Sequence, residues 1–136
     1  MSDDRHGIDR QGLDASFDAD EVLKSNVIVE AQLLSAQQQP DAAADRFARA
    51  AEIEERLSAR CAELGLREKS WIHLFSAAGC WARAGDFHTA IGLGDQLLAE
   101  GDLPPRLRQR VQEFTDTIRK RRTQWAAGLA LTASAD

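Results

Sequence analysis

A chain of 136 residues with 43% hydrophobic and 29% charged side chains has the size and make-up of one globular domain with a real core. Its net charge of −5 argues against nonspecific nucleic-acid binding, which depends on Lys and Arg neutralising phosphate. Without a run of about 18 apolar residues or a basic-then-apolar leader, neither a membrane span nor a secretory signal is predicted.

The apolar residues are mostly Ala and Leu, Tyr is absent and there are only three Pro, so the balance favours helix over strand. Residues 1–19 are polar, with five Asp, two Gly and no sustained period, and read as a disordered lead-in to a single helical domain over 20–125. The first helix is expected over about 20–38, with Leu23, Val27, Ala31 and Leu34 on one face. Pro40 disfavours helix at the residue before it and suits the start of the next. The second helix, about 41–64, carries the stripe Ala43, Phe47, Ala50, Leu57, Cys61 and Leu64, with Gly65 at the position of a C-terminal cap.

The third helix, about 68–84, is apolar nearly all round, with Trp71, Ile72, Leu74, Phe75, Ala77, Ala78 and Trp81, which predicts a central position. Gly85-Asp86 makes the turn into a fourth helix that runs to about 100 and turns Phe87, Ala90, Ile91, Leu97 and Leu98 inward. Gly92 and Gly94 each cost that helix roughly 1 kcal/mol relative to Ala, which predicts close approach of a neighbouring helix. Pro104-Pro105 starts the fifth helix, with the stripe Leu107, Val111, Phe114, Ile118 and Trp125; residues 126–136 are expected to fray.

Charge is uneven. Residues 1–57 carry 13 acidic against 6 basic side chains, and residues 101–136 carry 4 against 7. An acidic front and a basic tail attract each other between helices or between subunits, or form two solvated surfaces. Cys61 and Cys80 lie on apolar helical faces without a CxxC spacing and read as buried free thiols of a reducing, cytoplasmic setting.

The segment Trp81-Ala-Arg-Ala-Gly85-Asp86-Phe87-His-Thr-Ala90 resembles the turn of a tetratricopeptide repeat, where an aromatic late in helix A, a Gly-Asp-aromatic turn and a small residue early in helix B recur. Leu74, Ala77, Ala78 and Trp81 fall on the helix A positions of that motif, and Ala43, Phe47 and Ala50 fit its second half. Two departures stand beside the match. Ala43 and Ala90 lie 47 residues apart, against about 34 for the repeat, and Gly94 occupies a position where the repeat has a large aromatic. The resemblance implies five antiparallel helices, an all-α array of helical hairpins with the fifth helix as cap.

Little in the sequence points to catalysis or to a metal. His6, His73 and His88 show no metal-ligand spacing, and Glu52, Glu54 and Glu55 read as a solvated run. Small helical RNases of the HEPN type use an Arg followed four to six residues later by His, a spacing that Arg67–His73 and Arg83–His88 match. Arg119, Lys120, Arg121 and Arg122, with Arg106, Arg108 and Arg110, offer a grip for phosphate or an acidic peptide, or form a solvated face.

The expected function is therefore a protein-interaction module without cofactor, metal or catalytic residue, its partner a protein or peptide rather than nucleic acid or membrane. By the resemblance, the partner lies on the helix A surfaces, at Ile28, Gln32 and Ser35 on the first helix and at Ile72, Phe75, Gly79 and Arg83 on the third. The competing classes are the HEPN-like RNase and a homo-oligomeric structural protein that buries the same surface in itself.

Overall fold

Three helices of this chain stop in the same way. After Ala36, Glu63 and Arg83 the backbone makes one left-handed residue, Gln38, Gly65 or Gly85, with φ of 60°, 74° and 86°. In each case the left-handed residue's N–H and the next one reach back to the last turn, as in Gly65 N to the Ala62 carbonyl at 3.0 Å and Leu66 N to the Cys61 carbonyl at 2.9 Å. This Schellman arrangement satisfies carbonyls that a helix end leaves unpaired. The same two bonds close the turns at Gly85 and at Gln38.

A left-handed conformation costs an L-residue about 1–2 kcal/mol and costs glycine almost nothing. Gln38→Gly is therefore expected to stabilise the chain, by about 0.5–1 kcal/mol once glycine's freer unfolded state is subtracted. Urea unfolding of the two proteins measures it, and a loss of stability would mean that Gln38 contributes contacts beyond its backbone.

The computed structural model describes residues 8–9 and 13–135, and is all-α with five helices. They are α1 (Ala15–Ala36), α2 (Pro40–Glu63), α3 (Arg67–Arg83), α4 (Phe87–Leu98) and α5 (Pro105–Ala135), after the two-residue strands β1 (Ile8–Asp9) and β2 (Leu13–Asp14), which pair antiparallel. Each helix packs chiefly on the next in the chain, so α3 lies between α2 and α4. The helices cross on small residues: Ala31, Ala50, Ala51, Ala77, Ala78 and Ala90 have no exposed surface. Among the described residues no helix is long and apolar enough to cross a membrane.

Two boundaries differ from those expected. The first helix begins at Ala15, and Leu13 and Phe17, at 2% and 3% exposure, sit in the core with Val27, Ile53, Leu57, Cys61 and Cys80. The reading of 1–19 as one disordered lead-in is corrected for 13–19: two apolar side chains four residues apart suffice to dock it. His6 and the rest of 1–12, apart from the backbone of 8–9, lie outside the described residues.

Asp14 caps α1 by accepting from the Phe17 N–H at 3.0 Å, and also pairs with Arg60. The Phe17 amide, more than the guanidinium of Arg60, holds the Asp14 carboxyl below its ordinary value. At the other end, α5 continues through residues 126–135, where fraying is expected from the small side chains. Every side chain from 120 to 133 is exposed.

The close approach predicted for the fourth helix is found at one of its two glycines. A Cβ on Gly94 would meet the Thr115 Cγ2 of α5 at 2.1 Å, whereas a Cβ on Gly92 would meet nothing within 4 Å.

Candidate functional site

The fold brings chemistry-bearing side chains together in two places. The first is buried. Glu54, 3% exposed, sits on α2 where α1 and α3 meet it. Its carboxylate lies 2.8 Å from His73 Nδ1 and 3.8 Å from Lys24 Nζ, and the His73 ring packs edge-on to Phe17 at 5.7 Å. Next to it Glu55 accepts from the Trp81 indole N–H at 2.7 Å, and Ser58 bonds Ser70 at 2.9 Å.

The run Glu52, Glu54 and Glu55 is thus not uniformly solvated, because a helix turns 100° per residue and points Glu52 out while Glu54 points in. A carboxylate with a histidine and a lysine has the parts of an acid–base relay, but none of the three side chains lines any of the five main surface cavities among the described residues. It pins three helices together.

Cys61 and Cys80 lie in the same core as free, buried thiols. Burial, reinforced by the Glu54 charge, pushes the Cys80 thiol up to about 11, so it stays protonated and weakly nucleophilic.

The second place is open. A groove of roughly 550 Å³ runs between α3 and α5. On α3 its wall is Phe75, Gly79 and Arg83, spaced by four, so all three fall on one helical face. On α5 the facing wall includes Arg110, Phe114 and Arg121, again on one face.

The rings of Phe75 and Phe114 meet edge to face, with centroids 5.5 Å apart. The Arg110 guanidinium lies 5.4 Å from the centre of Phe75, and that of Arg83 lies 5.6 Å from the centre of Phe47 on α2. Among the described residues none of Arg83, Arg110 and Arg121 forms an ion pair. Glu113 is the one acid in the lining, and it accepts from the Gln109 amide at 3.1 Å. The groove is therefore an aromatic floor lined by three guanidinium groups and one carboxylate.

Of the seven partner-binding residues expected from the sequence, Phe75, Gly79 and Arg83 come together here. Ile72, 55% exposed, stands on the same helix outside the groove. Gln32 and Ser35 are exposed on α1, and Ile28 packs half-buried against the core that holds Cys80, so none of the three lines this groove. Arg110, Phe114 and Arg121 complete the site. Their apolar and basic character is visible in the sequence, but their facing α3 depends on α5 folding back along it.

Trp71 is 8% exposed and packs with Leu97, Leu103 and Val111. The two Arg–His pairs are directed to different partners. Arg67 bonds Asp102 at 3.0 Å while His73 bonds Glu54, and Arg83 covers Phe47 while His88 is exposed. Comparison with known protein families, with curated proteins and with solved structures finds no match to this chain.

Proposed function

We propose that this chain is a protein-interaction module that holds an acidic segment of a partner protein in the α3–α5 groove. The observation that carries the reading is the excess of three guanidinium groups, Arg83, Arg110 and Arg121, over the single carboxylate of Glu113 in the lining of the groove whose floor is Phe75 and Phe114. Planar guanidinium groups match carboxylates in a two-pronged geometry, and an apolar floor strengthens such pairs by excluding water.

The tetratricopeptide-like reading points the same way. It is supported by helices that pack in chain order, by the Gly-Asp turn after Trp81 and by the fully buried alanines at the crossings. On that reading α3 and α5 are first helices of successive hairpins, and their shared face is where a partner lies.

Affinity capture from lysate with wild type, Phe75→Glu and Arg110→Glu tests it, alongside fluorescence anisotropy with a labelled Glu/Asp-rich peptide containing one Phe. Each variant is expected to weaken peptide binding about 10–100-fold with helicity unchanged, and a rise in salt is expected to weaken it in wild type. Equal capture by all three proteins would remove the groove from the function.

A further inference from the structure

The α3 wall of the groove has a gap in it. Gly79 stands in the middle of α3, where glycine is the poorest helix former after proline. Its backbone does not require glycine, since the glycines with positive φ among the described residues are Gly65 and Gly85. Packing within the chain does not require it either: a Cβ on Gly79 would meet nothing within 4 Å, in contrast to one on Gly94. Openness alone decides nothing, because Gly92 is as open. Gly92, however, is exposed and lines none of the five main cavities, whereas Gly79 is half-buried in the groove wall.

The space left by the missing side chain is apolar at its base and basic at its edges. The rings of Phe75 and Phe114 meet across the groove one turn before it, and both are half-buried, so part of each stays open. On α5 its floor is Ile118, four residues past Phe114 as Gly79 is four past Phe75. Arg83 and Arg121 stand about one turn further on, one on each wall. No guanidinium fills the gap from within: that of Arg83 lies over Phe47 and that of Arg110 over Phe75.

We infer that the gap at Gly79 receives a bulky apolar side chain of the bound acidic segment, so that Gly79 sets the specificity of the groove by having no side chain of its own. The inference rests on the groove being the binding site and names what is read there. A polar side chain seated over Ile118 and the two rings would lose its water without gaining a partner. An apolar one loses nothing, and a ring can pack edge to face on Phe75 and Phe114. Carboxylates on either side of it in the bound segment meet Arg110 at one end of the gap and Arg83 and Arg121 at the other, with only Glu113 of their own sign in the lining.

Fluorescence anisotropy with two labelled peptides tests the inference: a Glu/Asp-rich peptide with one central Phe, and the same peptide with Ala in its place. Wild type is expected to bind the Phe peptide roughly 10–50-fold more tightly, the effect of withdrawing most of one such side chain from water. Gly79→Leu fills the gap from the protein side. It is expected to lose most of that preference and to bind the Ala peptide as wild type does, while Gly79→Ala loses part of the preference. Alanine and leucine both suit a helix better than glycine, so neither thermal midpoint should fall. If that of Gly79→Leu does fall, the ratio measured for Gly79→Ala decides.

Equal binding of the two peptides by wild type overturns the inference; the groove reading then still stands if Arg110→Glu weakens both. A Phe-to-Ala preference that survives undiminished in Gly79→Leu and Gly79→Ala also overturns it, because the apolar side chain then lies elsewhere. Wild type that binds neither peptide overturns the groove reading and this inference together.

Discussion

Phe17→Ala is expected to lower stability by about 3–5 kcal/mol, seen as a fall of roughly 10 °C or more in the thermal midpoint. Phe17 is 3% exposed, and its ring also meets His73 edge-on at 5.7 Å. Truncation removes the buried ring and leaves a cavity beside the Glu54–His73 pair, where the surrounding helices are already held by that hydrogen bond and by the Lys24–Glu54 ion pair and relax little. Deleting residues 1–19 is expected to cost more still, since it also removes Leu13 and the cap Asp14.

The cap adds a pH signature. With its folded pKa below the unfolded value, the contribution of Asp14 is fully present above the ordinary carboxylate range and is lost as pH falls through the lowered value. Thermal scans of the wild type, Phe17→Ala and the deletion measure all three effects. A deletion protein with an unchanged midpoint would show that the start of α1 contributes nothing to the fold.

The difference between this result and the polar look of residues 1–19 shows what was and was not legible. Helix periodicity is a local signal summed over several turns, and it located α2, α3 and α4 to within about two residues of their observed bounds. A docking segment supported by only Leu13 and Phe17 lacks enough turns to produce a period. Pro40 and Gly65 were readable because backbone dihedral limits act on single residues; Gln38 was not, because nothing in glutamine favours the left-handed region it occupies.

The groove was half legible for a similar reason. Phe75, Gly79 and Arg83 share one helix and so one phase, which the sequence supplies. Arg110, Phe114 and Arg121 share a phase too, but which helix they oppose is a tertiary fact. Glu54 failed in the other direction. A triplet of glutamates suggests solvent, and only the positions of Lys24 and His73 on two other helices make its burial tolerable.

The two glycines of α4 give the sharpest contrast in the molecule. Gly92→Ala is expected to stabilise the chain by up to about 1 kcal/mol, because its new methyl group meets nothing within 4 Å and the helix gains an alanine. Gly94→Ala, two residues on, is expected to destabilise it by about 1–3 kcal/mol despite the same gain in propensity. The methyl group would lie 2.1 Å from Thr115 Cγ2 and 3.6 Å from Thr115 Cβ, on a side chain with no exposed surface. Thr115 has little room to yield, since its hydroxyl donates to the Gln112 carbonyl at 3.0 Å and rotating the methyl away breaks that bond. Thr115→Ser removes the clashing methyl and keeps the hydroxyl. The double variant Gly94→Ala, Thr115→Ser should therefore recover most of what Gly94→Ala loses, and urea unfolding of the four proteins closes the cycle. A cycle with no coupling between the two positions would mean that α4 and α5 do not approach each other at Gly94, and the packing of the fifth helix would have to be redrawn.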